Sequence, residues 1–240
     1  MILLIDVGNT RAKYCTVSKG IRGSIQSIQN ELLTNEYFTK YFSNIERVIV
    51  ASVSHHKLTN IIESWSIEYQ IDYQRVVSEK SKNGITSGYE RPNQLGVDRW
   101  LTLIAAKTLY PSKNTLIVDA GTATTVDLLS ADGIHKGGWI LAGIDTLFKC
   151  VLENTTQVKA SNENVASLSF GLNSSDNVNN ATWAATVGSI SIAMMESEKL
   201  GIFIDEIVLT GGNGAVLASL LPQRCTMIED LVFIGLQAYI

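Results

Sequence analysis

Cysteine and histidine are scarce in this chain of 240 residues, which contains three of each. The cysteines are Cys15, Cys150 and Cys225. They are far apart, odd in number and without metal-ligand spacing, which favours reduced thiols over a disulfide framework or a zinc site. No two of His55, His56 and His135 have the i, i+4 spacing that places two metal ligands on one helical face. These residue types therefore predict neither a disulfide framework nor a metal centre.

Long apolar runs and blocks of basic charge are also missing. No stretch approaches about 18 consecutive apolar residues, and the apolar start from Met1 to Ile5 is short for a signal-peptide core and has no basic flank. We therefore expect a cytoplasmic protein with no membrane partner. The formal net charge of −4, with no cluster of Lys or Arg, predicts no nucleic-acid partner. A hydrophobic content of 45% is enough to bury a core.

Two stretches of the chain repeat one pattern: LLIDVGNTRAKYCTV begins at Leu3, and LIVDAGTATTVDLLS begins at Leu116. In each, an aliphatic run is followed by Asp, a turn with Gly and a hydroxyl residue, and a run that predicts a returning β-strand. A repeat about half a chain apart favours two lobes of similar size, residues 1–113 and 114–240. The polar, proline-containing segment from Pro111 to Asn114 marks the predicted boundary.

Further strands and helices are predicted around the two hairpins. Strands are expected at residues 20–28, 47–52, 134–141 and 206–210, and helices at residues 31–43, 55–67, 180–200 and 213–221. The polar segment 80–92 is expected to be a surface loop. Strands that alternate with helices in this order imply an α/β fold, with mixed sheets covered by helices.

Each Asp-Gly turn carries groups that suit a nucleotide phosphate and its hydrated magnesium ion. The carboxylate of Asp6 can hold the water shell of Mg²⁺, Gly8 lets the backbone approach the phosphates, and Lys13 lies on the returning strand. One such turn also fits an ordinary hairpin. Two turns at matched positions favour phosphate binding, because facing turns can clamp the β- and γ-phosphates from both sides.

A third glycine-rich turn, LTGGNG at Leu209 to Gly214, ends a predicted strand. A flat ring can pack closely against such backbone, although a plain strand-to-helix turn has the same chemistry. The order of two phosphate turns and then this strand resembles the superfamily of acetate and sugar kinases, heat-shock chaperones and actin. The resemblance implies two tandem ribonuclease-H-like lobes of the actin-like ATPase type, with a cleft between them.

The segment LGVDRW, from Leu95 to Trp100, lies between the two phosphate turns and begins a predicted helix. Asp98 is suited to act as general base toward a hydroxyl, and Arg99 is suited to pair with a carboxylate. The alternative is that Asp98 caps the helix and Arg99 is its solvated neighbour.

Four motifs follow one another along nearly the whole chain. They are D-x-G-N-T-x-x-K at Asp6 to Lys13, G-x-D-R at Gly96 to Arg99, D-x-G-T-A at Asp119 to Ala123, and T-G-G at Thr210 to Gly212. In order and spacing they resemble the type III pantothenate kinases. The resemblance implies transfer of the γ-phosphoryl group of ATP to the primary hydroxyl of pantothenate, which is the first committed step of coenzyme A biosynthesis.

The resemblance also implies a role for each matched residue. ATP is expected at Asp6, Val7, Gly8, Asn9, Thr10, Arg11, Ala12, Lys13 and Thr122, with Mg²⁺ held through water by Asp6. Pantothenate is expected at Tyr89, Gly96, Val97, Asp98, Arg99 and Thr182, with Asp98 as the catalytic base. Asp119 is expected to bind a monovalent cation, K⁺ or NH₄⁺.

A homodimer is a further implication of the resemblance, with the helix at 180–200 packed against its copy. The small residues of that helix permit close approach, but an intramolecular core helix satisfies the same pattern. Thr182 also fits a helix N-terminus. Members of the family often have glycine at the position of Ser189, whereas here the glycine is Gly188, one residue earlier.

Two other functions fit parts of the pattern. A small sugar or amino-sugar kinase would share both phosphate turns, and G-x-D-R would then be a coincidence. A non-enzymatic accessory regulator would keep the nucleotide clamp without catalysis. The presence of Lys13 and Asp98 favours an enzyme, and the acidic sequence pI of about 5.4 disfavours direct contact with DNA.

Overall fold

The computed structural model describes residues 1–53, 56–161 and 165–240, and in them the chain forms two compact units. Unit 1 comprises Met1–Asn83, Tyr89–Ala105 and Asp230–Ile240. Unit 2 comprises Gly84–Gly88 and Ala106–Glu229. The predicted lobe bounds, 1–113 and 114–240, stay a prediction.

Strands and helices alternate along the chain. The strands are β1 (Ile2–Val7), β2 (Arg11–Ser18), β3 (Ile21–Arg22), β4 (Gln26–Gln29), β5 (Arg47–Ser52), β6 (Asp72–Arg75), β7 (Ser81–Lys82), β8 (Ile85–Thr86), β9 (Thr115–Ala120), β10 (Ala123–Leu129), β11 (His135–Ala142), β12 (Glu206–Thr210) and β13 (Thr226–Met227). The helices are α1 (Asn35–Tyr41), α2 (His56–Glu68), α3 (Val97–Leu109), α4 (Ile144–Glu153), α5 (Ser174–Lys199), α6 (Gly214–Leu220) and α7 (Leu231–Leu236). Short 3₁₀ turns lie at Asn30–Leu32, Pro92–Gln94 and Gln237–Tyr239.

The sheet of unit 1 has the strand order β3-β2-β1-β5-β6, and β4 also pairs with β2. β1 runs antiparallel to β2 and parallel to β5, which in turn runs parallel to β6. β1 and β5 are almost continuously apolar because both faces of the central strands are covered. On one face, Phe38 of α1 and Trp65 of α2 pack together, with ring centroids 5.0 Å apart. This packing fixes the central strand β1, which leads into the first Asp-Gly turn.

The sheet of unit 2 repeats the same plan in the order β11-β10-β9-β12-β13. β9 runs antiparallel to β10 and parallel to β12, as β1 does to β2 and β5 in unit 1. Helix α5 covers this sheet, and its Trp183 and Ile190 belong to one buried core with Leu116 and Val126. The repeated sequence pattern therefore corresponds to a repeated sheet topology.

The predicted α/β class with mixed sheets flanked by helices is confirmed, and several details differ. The strand predicted at 20–28 is divided into β3 and β4, because its register against β2 shifts by one residue between Arg22, which pairs with Val17, and Gln26, which pairs with Tyr14. Helix α5 begins earlier than predicted because the side chain of Asn173 accepts a hydrogen bond from the N–H of Asp176 and caps it there. Helix α4 was not predicted.

The polar segment predicted as a loop at 80–92 contains the short strands β7 and β8 and one 3₁₀ turn. Residue 55, which begins the helix predicted at 55–67, lies outside the described residues. Within the described part of the chain, no helix has both the length and the apolar character needed to cross a membrane.

Candidate active site

The first Asp-Gly turn joins β1 to β2 through Gly8, Asn9 and Thr10. The N–H of Gly8 donates to the carbonyl of Arg11 at 3.1 Å, and a Cβ on Gly8 would lie only 3.0 Å from that oxygen. Asp6 and Lys13 are directly opposite in the antiparallel register, so their side chains lie on the same face of the sheet. The turn therefore brings one carboxylate and one ammonium group to the end of the hairpin.

The other residues predicted at this turn have different surroundings. The side chains of Val7 and Ala12 are fully buried and anchor the hairpin, so only their backbone can face a ligand. Asn9 and Thr10 are exposed. Arg11 Nε donates to Ser27 Oγ at 3.0 Å, which holds the guanidinium beside the turn.

The second Asp-Gly turn joins β9 to β10 through Gly121 and Thr122. Asp119 pairs in register with Thr210 of β12, and Gly211 follows with a φ of +84°. A Cβ on Gly211 would lie 2.5 Å from Asp119 Oδ1, so only glycine lets the backbone pass this close to the carboxylate. The T-G-G motif thus borders Asp119, a relation that its position in the sequence does not reveal.

Gly143, which the sequence pattern did not single out, supports this second turn. Its N–H donates to the carbonyl of Thr122 at 3.1 Å, and a Cβ on it would lie 2.4 Å from the carbonyl oxygen of Gly121. Thr146 Oγ1 donates to the same Thr122 oxygen at 3.1 Å. A glycine at the start of a helix is the only local signal that could have indicated this contact.

The donor groups fit the cations implied by the family resemblance. Among the described residues no group of three or more His, Cys, Asp or Glu side chains is placed to hold a metal ion. Mg²⁺ in kinases is held by one or two carboxylates, waters and the phosphates, so Asp6 alone is a sufficient protein contribution. At Asp119, the carboxylate and the Ala120 carbonyl both lie beside Gly211, and they are oxygen ligands of the kind suited to K⁺.

The G-x-D-R motif forms the first turn of α3. Gly96 precedes the helix, and a Cβ there would lie 2.5 Å from Asp98 Oδ1. The N–H of Arg99 donates to that same oxygen at 2.8 Å. Asp98 is the second helical residue and is half-buried, so it is not the N-cap. The carboxylate is therefore oriented by the helix N-terminus and lies against Gly96, where a larger residue would collide with it.

Arg99 is buried, with 3% of its surface exposed, so the alternative of a solvated neighbour is wrong. Its Nη1 donates to the phenol oxygen of Tyr89 at 2.8 Å. Two residues predicted to bind pantothenate, ten positions apart in the chain, are thus in direct contact. The side chain of Val97 is buried and contributes to the packing of α3.

The C-terminal segment holds α3 in place. Trp100 Nε1 donates to the hydroxyl of Tyr239 at 3.0 Å, and that hydroxyl donates to Glu79 Oε1 at 2.9 Å. Burial raises the pKa of Tyr239, so the phenol stays protonated and remains a donor. A Cβ on Gly235 of α7 would lie 2.2 Å from the carbonyl oxygen of Leu101, so α7 packs directly on the α3 backbone.

Thr182 lies inside α5, well beyond its first residue Ser174, so the alternative of a helix N-terminal threonine is wrong. It is buried, and its hydroxyl donates to the carbonyl of Asn179 at 2.8 Å. An apolar groove of about 300 Å³ lies between α4 and α5, and Thr182 forms part of its wall with Leu147 and Val151.

Comparison with known proteins identifies the family. The model of the type III pantothenate kinases matches residues 2–196. This chain belongs to the type III pantothenate kinase family. A type III pantothenate kinase from Colwellia psychrerythraea strain 34H is 47% identical over 249 aligned positions, covering 100% of both chains. The predicted family and the predicted class of enzyme, a kinase, are confirmed.

Solved structures show the same fold at low sequence identity. A conserved protein from Campylobacter jejuni assigned to the Baf family of transcriptional activators has a TM-score of 0.63 and 20% identity, covering 98% of this chain and 95% of that one. A glucokinase from an Antarctic psychrotroph has a TM-score of 0.54 and 11% identity, covering 99% and 98%. At this identity the likeness concerns the fold alone, so it favours neither the regulator nor the sugar kinase.

Proposed function

We propose that this kinase transfers the γ-phosphoryl group of ATP to pantothenate, giving 4′-phosphopantothenate in the cytoplasm. Membership of the type III pantothenate kinase family supports the reaction. The observation that carries the assignment of residues is the first turn of α3. There a half-buried carboxylate, Asp98, is oriented beside a buried arginine, Arg99, which contacts Tyr89.

At the acceptor end, Arg99 binds the carboxylate of pantothenate. The planar array of donors on a guanidinium matches the geometry of a carboxylate. Tyr89 keeps the guanidinium oriented through the 2.8 Å hydrogen bond. Asp98 accepts the proton of the primary hydroxyl as the phosphoryl group is transferred. Thr182 is assigned to the same substrate.

At the donor end, the turn from Asp6 to Lys13 and Thr122 of the second turn bind ATP. Asp6 would hold Mg²⁺ through water, and the ion would supply positive charge that offsets the charge of the phosphates. Lys13 adds a positive charge on the same sheet face as Asp6. Asp119, whose carboxylate lies against Gly211, would hold K⁺ or NH₄⁺.

The decisive experiment measures ADP release by the purified protein with Mg-ATP. Pantothenate, hexoses, amino sugars and no acceptor are compared, each with and without K⁺ or NH₄⁺. Turnover that requires pantothenate and increases with the cation is expected. Turnover with a sugar but not with pantothenate would replace the proposed substrate and leave the ATP site in place. Absence of turnover with every acceptor would favour the regulator.

We also propose a homodimer formed through α5. In unit 2 this helix exposes Ile192 and Met195, and two small residues lie on the same side, Gly188 one turn and Ala185 two turns before Ile192. Apolar side chains on a helix exterior are covered favourably by a second copy. Light scattering on the wild type and on Ile192→Glu tests this: a dimer that becomes a monomer is expected, and a monomeric wild type would contradict it.

A further inference from the structure

The carbonyl groups of the first Asp-Gly turn share one hydrogen-bonding partner, Asn30. Asn30 Nδ2 donates to the carbonyl of Gly8 at 2.9 Å and to that of Asn9 at 3.1 Å. The backbone N–H of Asn30 donates to the carbonyl of Thr10 at 3.1 Å. Three consecutive carbonyl groups of the turn are therefore held by one residue, which lies beyond β4 and outside every motif.

The N–H groups of the turn, unlike its carbonyl groups, are not all hydrogen-bonded within the part of the chain that the structure describes. The N–H of Gly8 closes the hairpin on Arg11, whereas those of Asn9 and Thr10 donate to no acceptor in the described parts of the chain. An anion is bound by backbone N–H groups and repelled by carbonyl oxygens. Because Asn30 holds the carbonyl groups, the turn keeps its free donors for a phosphate.

The orientation of the Asn30 amide is fixed by its two carbonyl acceptors, because only an NH₂ group can donate to both. In this orientation Asn30 Oδ1 is buried and has no donor among the described residues. A buried acceptor without a partner is destabilising. An apolar residue at this position would avoid that penalty. Packing alone therefore does not explain why residue 30 is an asparagine, whereas the two hydrogen bonds that its amide donates do explain it.

The second turn shows the same arrangement with unrelated residues. Its Thr122 carbonyl accepts from the N–H of Gly143 and from Thr146 Oγ1, both at 3.1 Å. The Ala120 carbonyl accepts from the N–H of Asn213 at 3.0 Å. In both units, donors from elsewhere in the chain therefore hold the carbonyl groups at the end of the hairpin.

We propose that Asn30 is a positioning residue for ATP, which presets the first turn so that the N–H groups of Asn9 and Thr10 face the phosphates. Asn30 itself acts through the turn and does not touch the substrate. The proposal rests on the proposed binding of ATP at this turn, and it is independent of which acceptor is phosphorylated.

Two substitutions remove the donors. Asn30→Ala truncates the side chain at Cβ, and Asn30→Leu keeps the branched shape with a somewhat larger volume and without charge. The matched control is Asn114→Ala in unit 2, because Asn114 is also half-buried and also bridges loops. Its Nδ2 donates to the Phe203 carbonyl at 2.9 Å, and its Oδ1 accepts from the N–H of Ala131 at 2.8 Å. Equilibrium binding of Mg-ATP, KM for ATP, KM for pantothenate and Tm are measured for all.

Both Asn30 variants should bind Mg-ATP about tenfold more weakly, the size expected for losing one or two neutral hydrogen bonds. Their KM for pantothenate should stay within about twofold of wild type, and Asn114→Ala should lower Tm without changing ATP binding. Unchanged ATP binding in Asn30→Leu would overturn the proposal, as would an equal loss in Asn114→Ala. If the wild type binds Mg-ATP but does not phosphorylate pantothenate, the proposed function fails and the comparison of ATP binding still decides the role of Asn30.

Discussion

Replacing Gly211 with alanine tests whether the second turn holds a cation. At a φ of +84°, an alanine is strained by about 1–2 kcal/mol from its backbone conformation alone. Its Cβ would also lie 2.5 Å from Asp119 Oδ1 and 2.6 Å from the carbonyl carbon of Ala120. The second contact is with backbone, which has no flexible end to move aside, so the end of β9 and the carboxylate must both shift.

Gly201 provides the matched control, because its φ is +72° and a Cβ there would meet nothing within 4 Å. Gly201→Ala should therefore show the backbone strain alone. A loss of about 1–2 kcal/mol lowers Tm by roughly 2–8 °C in a protein of this size. Gly211→Ala should lower Tm further and abolish the stimulation by K⁺ of pantothenate-dependent ADP release, whereas Gly201→Ala should retain it.

The two variants also define what would refute the reasoning. If Gly211→Ala had the same Tm as Gly201→Ala and kept its response to K⁺, the close approach of Gly211 to Asp119 would have no role in cation binding. If Gly211→Ala lost stability but kept its response to K⁺, the close packing would be confirmed and the cation would have to lie elsewhere.

Three further substitutions test other parts of the site and the core. Asp98→Asn should fold normally and lose about 10²- to 10⁴-fold in kcat, and near-wild-type turnover would remove Asp98 from the role of base. Tyr89→Phe should raise KM for pantothenate about tenfold through the lost bond to Arg99, and an equal rise in KM for ATP would contradict this. Burial raises the pKa of the Cys15 thiol from 9.0 to about 11, so the unfolded thiol ionises first as pH rises. Between about pH 9 and pH 11, this thiol should therefore lower the free energy of unfolding by up to about 1.4 kcal/mol per pH unit. Urea titrations of Cys15→Ala should lack this contribution to the slope.

The sequence alone predicted the elements whose pattern is local. Both Asp-Gly hairpins are signalled by an apolar run, a turn with glycine and a returning strand, and the structure has β1 with β2 and β9 with β10 in those places. Helix α3 was expected from LGVDRW onward and begins at Val97. Such patterns are determined by neighbours in the chain, so one sequence is sufficient to recognise them.

Contacts between distant parts of the chain could not be predicted in this way. The segment from Asp230 to Ile240 belongs to unit 1, where Asp230 forms an ion pair with Arg22 and Tyr239 contacts Trp100. Neither contact leaves a spacing or a composition that a single sequence can show. Gly211 was recognised as part of a glycine-rich turn, but its closeness to Asp119 depends on the parallel pairing of β12 with β9.

The two turns also show which part of the duplicated pattern is constrained. Both keep Asp, Gly and a hydroxyl residue in the same order, and both have a glycine N–H that closes the hairpin, at 3.1 Å in each case. The donors that hold their carbonyl groups differ: a side-chain amide and backbone N–H from Asn30 in unit 1, and mainly the backbone of Gly143 with the hydroxyl of Thr146 in unit 2. This difference is explained if the turn requires only that its carbonyl groups be hydrogen-bonded, because any donor that reaches the carbonyl oxygens meets that requirement. Residues that preset such a turn are therefore better found by asking where its carbonyl groups are bonded than by comparing the repeats.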